Sequence, residues 1–530
     1  MNREPLFTRR DFLSCSLLGL TGCLATRPLS AAAHGRRRPN ILLIMADDMG
    51  FSDIGCYGGE IRTPNLDELA ARGLRFNQFY NNGICVPTRA SLLSGLYSQQ
   101  VGVYSDTPVQ YENCVTLGEL LRSAGYRTLM AGKWHAKETP YRRGFDRHFG
   151  LCDGCSNYFN PGPRRQGEPE PGRKKSPGGY PRRWAIDDQE YLPYAPEDAK
   201  FYSTDAFTDY AVRYLDEYGK EERPFFLYLA YTCPHYPLHA WPEDIARYRG
   251  RYLVGWDVIR RRRFERIRDL QLFDRSMTLP PRDETVPAWE DVADKDSWDL
   301  KMAVYAAMID RMDQNIGRVL RKIRQLGKED NTLVLFLSDN GGCAEDVNHT
   351  PGIAPGPVES YCTVDKPWAN ASNTPFRKYK NTDHEGGICT PFIAAWPGVI
   401  QQQGQVSDAV GHLIDLMPTL ADISGARYPA EYNGHTVLPM EGVSLLPVFQ
   451  GGKQKKERTL FWRTHRKSHR AVRQGAWKLV SATPESPWQL YDLKRDRFET
   501  QDLSSVHPDR VRKMAELYAE WERKVGLDRE

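Results

Sequence analysis

Five short stretches of the chain combine residue types that could act on an anion. Asp47-Asp48 closes the apolar run 41–46. Adjacent carboxylates repel each other unless a cation lies between them, although a solvated turn would also carry such a pair. Asp339-Asn340 closes a second apolar run, 333–337. Together the two ends offer four hard oxygen donors, suited to Ca²⁺ or Mg²⁺ and not to zinc. Lys133 and His135 stand two apart after the run 126–131, so in extended backbone they would point to one side. A cation beside a proton donor suits an anionic substrate. His235 and His239 sit in a loop stiffened by Pro234 and Pro237. The stretch Cys85-Val86-Pro87-Thr88-Arg89, followed by Leu92-Leu93, reads as a polar turn running into a buried helix capped by Thr88 or Ser91. Cys85 would then lie just before the helix and Arg89 one turn inside it, an environment expected to lower the thiol pKa.

These residues need elements that deliver them to one place. The continuous apolar runs at 39–46, 224–230, 331–338 and 391–396 read as strands buried on both faces of a parallel sheet. In open α/β sheets, ligands bind at the carboxyl ends of such strands. Segments 75–80 and 126–131 read as further strands. Helices are expected after Thr63-Pro64, after Thr116 with Glu119 as its capping-box partner, at 204–218 and at 301–326. In the last, Met302, Tyr305, Met308, Ile309, Met312 and Ile316 recur at helical spacing and read as core. Residues 152–200, rich in Gly, Pro and Arg, read as a long surface loop or insertion. In 240–300, Arg260-Arg261-Arg262-Arg263 lies in a helical pattern and reads as a solvated face. From about 455 the spacing changes to short hairpin strands followed by a charged helix over 507–524. The fold expected is α/β: a large, mixed, mostly parallel sheet flanked by helices, with a smaller C-terminal antiparallel sheet and helix.

Bulk properties narrow the function. The chain has 530 residues, a mean hydropathy of −0.60 and a net charge of +4 from 72 basic and 68 acidic residues. That balance argues against a nucleic-acid partner. Thr8-Arg9-Arg10-Asp11-Phe12-Leu13 and the apolar run after it form a twin-arginine export signal, too short to span a bilayer as a mature helix. Leu20-Thr21-Gly22-Cys23 resembles a lipobox, which would leave a lipid anchor on Cys23. Ala31-Ala32-Ala33 resembles an ordinary cleavage site. Both remain open, giving an exported protein that is periplasmic or a cell-surface lipoprotein. Nine of the eleven cysteines lie beyond the signal, too few for a disulfide scaffold in a chain this long. Cys152-x-x-Cys155 lacks a second such pair, which argues against zinc and leaves a local disulfide or free thiols.

The ordered set of blocks resembles the type I, formylglycine-dependent sulfatases of the alkaline phosphatase superfamily. The likeness runs from about 39 to 505. It comprises Asp47-Asp48, Cys85-Val86-Pro87-Thr88-Arg89, Gly132-Lys133-Trp134-His135, His235, Asp339-Asn340-Gly341-Gly342, and Lys380 ahead of Glu385-Gly386-Gly387. The stretches Lys301 to Asp313 and Asp383 to Gly387 look closest to bacterial arylsulfatases. After Glu-Gly-Gly-Ile this chain has Cys389 where such proteins usually carry Arg or Ser. The resemblance implies that a maturase oxidises Cys85 to formylglycine, whose hydrated gem-diol attacks sulfur. It further implies one Ca²⁺ on Asp47, Asp48, residue 85, Asp339 and Asn340, with Asp339 taking the nucleophile's proton. Arg89 would orient the diol, and Lys133 and Lys380 would bind sulfate oxygens. His235, with Lys380, would protonate the leaving oxygen, and His135 would take the remaining diol proton so that sulfate is eliminated. Expected substrates are aryl sulfates or sulfated carbohydrates.

Two other functions compete: a phosphonate monoester or phosphodiester hydrolase on the same scaffold, and an exported glycan-binding protein without catalysis. The expected division is a signal over 1–33, a catalytic domain over 38–454 with insertions at about 152–200 and 240–300, and a C-terminal subdomain over 455–530.

Overall fold

The computed structural model describes residues 38–103, 109–174, 181–454, 457–464, 469–483 and 485–527. The export-signal features at 8–13, Cys23 and 31–33 lie outside the described residues.

A ten-stranded sheet forms the centre. Its order is Val406–Ser407, Leu74–Phe76, Phe392–Ala395, Thr332–Ser338, Asn40–Asp47, Phe225–Pro234, Arg127–Gly132, Arg147–Leu151, Trp184–Ile186 and Gln189–Tyr191. The five strands from Thr332–Ser338 to Arg147–Leu151 are mutually parallel. Antiparallel Phe392–Ala395 flanks them on one side, and the antiparallel hairpin 184–191 on the other. The sheet is therefore mixed and mostly parallel, as expected.

Burial on both faces follows from the apolar runs. Along Asn40–Asp47, Leu42 and Ile44 enter one core while Ile41, Leu43 and Met45 enter the other, all fully buried. The first core is covered by the helix Lys295–Gln325, through the methionines and Tyr305 that the helical spacing marks. The second is covered by Cys85–Ser94 and Leu117–Ser123. Thr116 and Glu119 close the expected capping box, with Glu119 N donating to Thr116 Oγ1 at 3.2 Å and Thr116 N to Glu119 Oε2 at 2.7 Å.

Three local expectations change. Segment 75–80 divides into strands Leu74–Phe76 and Phe79–Tyr80. The chain turns between them, and Asn77 Nδ2 donates to the Leu272 carbonyl at 2.7 Å. Residues 152–200 are not wholly loop: Trp184–Ile186 and Gln189–Tyr191 extend the sheet, because Trp184 is buried against Phe149, Tyr194 and Phe207. Arg260-Arg261-Arg262-Arg263 is not wholly a solvated face. In the helix Trp256–Asp269, Arg263 is fully buried, donating to Asp53 Oδ1 at 2.7 Å and to Glu60 at 2.8 and 2.9 Å. Those acidic partners come from distant sequence, so the local pattern could not show them. The nine described cysteines, Cys152 and Cys155 included, are free and buried.

The C-terminal part is a four-stranded antiparallel sheet, Thr459–Arg463, Arg470–Gln474, Trp477–Ser481 and Gln489–Asp492, with the helix Pro508–Lys524 against it. Phe461 and Trp521 stack across that contact, ring centroids 5.1 Å apart. This sheet also reaches the loop preceding Cys85. Trp462 Nε1 donates to the Asn81 carbonyl at 2.8 Å, and Thr464 Oγ1 to the Asn82 carbonyl at 3.0 Å.

Candidate active site

Four adjacent parallel strands end side by side and set the site. The pairings Ala46↔Ser338, Asp47↔Pro234 and Gly132↔Ala230 align their carboxyl ends. Thr332–Ser338 delivers Asp339 and Asn340, Asn40–Asp47 delivers Asp47 and Asp48, Phe225–Pro234 delivers His235, and Arg127–Gly132 delivers Lys133 and His135. The start of Cys85–Ser94 and the loop carrying Lys380 complete the ring. The ten residues that the resemblance assigns to the site converge here, and none is more than 9% exposed. His239 instead packs against Tyr158 and Phe159, with its Nε2 2.8 Å from the Ser360 carbonyl.

Backbone detail fixes the donors. Asp48 adopts φ 65°, a left-handed conformation uncommon outside glycine. Its amide donates to Asp339 Oδ1 at 3.1 Å, and the next amide, Met49 N, to Ser338 Oγ at 3.1 Å. Tyr305 OH holds the Asp48 carbonyl at 3.2 Å. Gly132 is required where it stands: at φ 120° a Cβ would lie 1.9 Å from the Ala230 carbonyl oxygen. That close approach turns the chain so that Lys133 and His135 enter the site. His135 itself has φ 65°, so the pair is set by this turn and not by extended backbone.

At the centre, Cys85 Sγ lies 3.4 Å from Asp47 Oδ1, 3.6 Å from Asn340 Oδ1 and 4.0 Å from Asp48 Oδ1. Cations surround this oxygen cluster. Lys133 Nζ donates to Asp47 Oδ2 at 2.7 Å, and Lys380 Nζ to Asp48 at 2.8–2.9 Å. Arg89 donates to Asp339 Oδ2 at 2.8 Å and to the Lys133 carbonyl at 3.0 Å. His235 Nε2 lies 3.6 Å from Asp48 Oδ2. Its Nδ1 lies 2.6 Å from the Tyr236 carbonyl, an atom that can only accept, so Nδ1 carries a proton and Nε2 faces the cluster.

The electrostatics follow from burial and these contacts. Burial alone would raise Asp47, but Lys133, His235 and Arg89 outweigh it and hold the carboxyl below its ordinary value. Against the same burial, Lys380 and His235 do this for Asp48. Asp339 ends raised, by burial and by Asp47 beside it. Burial pushes His135 well below the usual imidazole value, and Lys133 and Arg89 add to it. The Cys85 expectation is corrected in two respects. Cys85 is the first residue of its helix, the preceding residue is Ile84 with no side-chain cap, and Thr88 Oγ1 instead accepts from Asn82 N at 3.0 Å. The thiol pKa is pushed well up, because burial and the Asp339 and Asp47 carboxylates overcome the lysines. Residue 85 as a thiol is therefore a poor nucleophile here.

The donor set suits a hard cation. Asp47, Asp48, Cys85 and His235 each offer an atom within 4.8 Å of the others. Asn340 Oδ1 faces the same point, and the nearest groups are carboxylate and amide oxygens. Asn340 Nδ2 is spent on Asp48 Oδ1 at 2.7 Å and the Gly341 carbonyl at 2.9 Å, which leaves its oxygen turned inward.

Supporting residues lie beyond this centre, and sequence reasoning missed Tyr236, Glu345, Lys478 and Arg497 among them. The Tyr236 ring lies 4.3 Å from that of His235, and its OH donates to Glu345 Oε2 at 2.8 Å. Glu385 accepts from Tyr80 OH at 2.9 Å, from Lys478 at 2.9 Å and from Arg497. Lys478 and Arg497 belong to the C-terminal part, and no local pattern marks them. Cys389 fits here too: Arg497 Nη2 lies 3.3 Å from its buried sulfur.

Comparison with known proteins identifies the family. Residues 39–426 match the sulfatase family model, and 379–524 match the family described as N-sulphoglucosamine sulphohydrolase, C-terminal. An arylsulfatase of Klebsiella aerogenes is 35% identical over 79% of this chain and 94% of its own length. An uncharacterized sulfatase of Schizosaccharomyces pombe is 32% identical over 93% of this chain and 94% of its own length. The crystal structure of Ps i-CgsB in complex with k-i-k-neocarrahexaose aligns with a TM-score of 0.67 and 26% identity, covering 92% of this chain and 93% of that one. The chain belongs to the sulfatase family and is a sulfuric ester hydrolase.

Proposed function

We propose that the chain hydrolyses sulfate esters with residue 85 matured from cysteine to formylglycine and one Ca²⁺ held by Asp47, Asp48, Asp339, Asn340 and residue 85. One observation carries this reading: the residue 85 side chain meets the oxygens of Asp47, Asp48 and Asn340 at one buried point ringed by Lys133, Lys380 and Arg89. Bound there, the cation would polarise the sulfuryl group and lower the pKa of a hydroxyl on residue 85. A hydrated aldehyde at that position supplies the nucleophilic oxygen that the buried thiol does not.

The chain's own residues do the rest. Arg89, fixed by Asp339 and the Lys133 carbonyl, orients residue 85. Lys133 Nζ and Lys380 Nζ present ammonium groups to sulfate oxygens. Asp339, with its raised carboxyl, accepts the proton of the attacking hydroxyl. His235 Nε2 donates a proton to the leaving oxygen, since Nδ1 is tied to the Tyr236 carbonyl. His135, kept neutral by burial and by Lys133, is a base for the second hydroxyl proton, and its Nδ1 has no partner among the described residues. Burial of the whole set keeps water from competing with these contacts.

The natural substrate in this reading is a sulfated carbohydrate, with aryl sulfates as surrogates. The neocarrahexaose complex of the structural neighbour supports a glycan. The twin-arginine signal supports export, followed by residence in the periplasm or, if Cys23 is acylated, on the cell surface as a lipoprotein. The maturase and the export machinery are then required partners. Residues 38–454 form the catalytic domain, and 455–530 a subdomain that braces the Cys85 loop and Glu385. The test is a comparison of matured enzyme on 4-nitrophenyl sulfate and on a phenylphosphonate monoester. A higher kcat/KM on the sulfate is expected, and a clear preference for the phosphonate would overturn the reading.

A further inference from the structure

Outside the catalytic cluster, a cavity of about 300 Å³ is walled by Arg260, Arg282, Asp283, Phe376, Arg377 and Lys378. Its charges are not balanced. Arg282 pairs with Asp257 at 2.7 Å, and Lys378 with Asp283 at 3.1 Å. Arg260 is different. It is 4% exposed, its Nη2 donates only to the carbonyls of Pro280 and Pro281 at 3.0 and 3.3 Å, and its Nε is buried with no partner. Among the described residues no carboxylate lies within ion-pair distance of its guanidinium: Asp257 and Asp283 act on it from further off, and each is paired to another cation. Arg263, one turn further along the helix, is by contrast saturated by Asp53 and Glu60. A buried guanidinium without a counter-ion of its own is costly, and the cavity beside it has room for one. Arg377 bonds the Glu499 carbonyl, so it too keeps its charge, while Glu284, also in the wall, has no cation partner among the described residues. The remainder is net positive charge, which suits an anion.

The wall is built and not incidental. Lys378 has φ 66°, in the left-handed region, and is fixed by Asn373 Nδ2 donating to its carbonyl at 3.0 Å and Gly386 N donating to the Arg377 carbonyl at 2.9 Å. The segment Lys378-Tyr379-Lys380 thus sends one lysine to the cavity and the other to Asp48.

We propose that this cavity binds a sulfate group, held by the Arg260 fork, with Phe376 as an apolar wall for whatever carries it. The group comes either from a second sulfated sugar of a glycan or from free sulfate. The site does not depend on the chemistry of residue 85.

The test is to soak crystals of the full chain in sodium selenate, a tetrahedral oxyanion located by its anomalous signal. A peak beside Arg260 is expected in the wild type and is lost in Arg260→Gln. A peak at the catalytic cluster with none beside Arg260 would overturn the proposal. Calorimetry with inorganic sulfate and with a heparin-derived tetrasaccharide separates the sources. Arg260→Gln should weaken binding of one of them by about tenfold while 4-nitrophenyl sulfate turnover is unchanged. A response to the tetrasaccharide alone assigns the site to glycan, and a response to sulfate alone assigns it to the free ion. Unchanged affinity for both refutes the proposal. Arg260→Lys, which keeps the charge and loses the fork, serves if the glutamine variant does not fold, with the same expected loss.

Discussion

Lys478 offers a sharp test of how the C-terminal sheet supports the site. Its ammonium pairs with Glu385 at 2.9 Å and Glu499 at 2.8 Å, and all three side chains are fully buried. Arg497 also pairs with Glu385, so the cluster is two anions against two cations. Lys478→Met fills the same space and leaves one buried carboxylate unpaired. The expected cost is about 3–5 kcal/mol, a large share of the ~5–15 kcal/mol that stabilises a typical domain. Glu499 Oε2 accepts from Glu385 N at 2.9 Å, so loosening the cluster should also disturb the loop that carries Lys380 and lower kcat/KM. The companion variant Lys478→Met/Glu499→Gln restores charge balance and should recover more than half of the lost stability. Acid titration gives the sign independently. Against burial, Arg497 and Lys478 hold the Glu385 carboxyl down at about 2. The stability from that ionised group is complete above the unfolded pKa, about 4.5, and is lost as pH falls toward 2. In Lys478→Met the folded value rises, so acid unfolding begins at higher pH. Urea unfolding followed by circular dichroism at several pH values measures all of this. A loss below about 1 kcal/mol, the scale of an exposed pair, or no rescue by Glu499→Gln, refutes the reasoning.

Other perturbations separate the roles assigned above. Added Ca²⁺ should raise the thermal midpoint of the wild type, by about 2.7 kcal/mol of stabilisation at one hundred times Kd, and Asp48→Asn should abolish that response. An equal calcium shift in the variant would remove Asp48 from the metal site. His235→Gln should lower kcat by roughly 10²–10⁴-fold on alkyl or sugar sulfates and far less on 4-nitrophenyl sulfate, whose leaving group needs no proton. A uniform loss across leaving groups would argue against a general acid. Gly132→Ala drives a Cβ to 1.9 Å from the Ala230 carbonyl and should cost both stability and sulfate binding, read as a lower midpoint and a higher KM. An unchanged KM would show that this turn does not position Lys133.

Much of this architecture is legible in the chain, and for identifiable reasons. Strands buried on both faces show as unbroken apolar runs, and the residue that ends each run lies where parallel strands present ligands. Asp47, Asp339, His235 and Lys133 are therefore found together from position alone. The long helix shows because Met302 to Ile316 repeat at its period. What stays hidden depends on distant partners. Arg263 looks like one of four solvated arginines until Asp53 and Glu60 close on it. Lys478 is one lysine in an ordinary strand until Glu385 meets it. The Cys85 thiol was expected to be acidified by the helix start and Arg89. Local sequence could not show that complete burial and two carboxylates from other strands outweigh both.

The central claim is that the nucleophile at residue 85 is not the encoded thiol. It is tested most directly by mass spectrometry of the residue 85 peptide from enzyme co-produced with a formylglycine-generating maturase, with turnover measured on the same sample. The account predicts replacement of sulfur and two hydrogens by one oxygen, activity in proportion to that conversion, and a folded but inactive Cys85→Ala variant. Full activity with residue 85 still a thiol, or in Cys85→Ala, would contradict it.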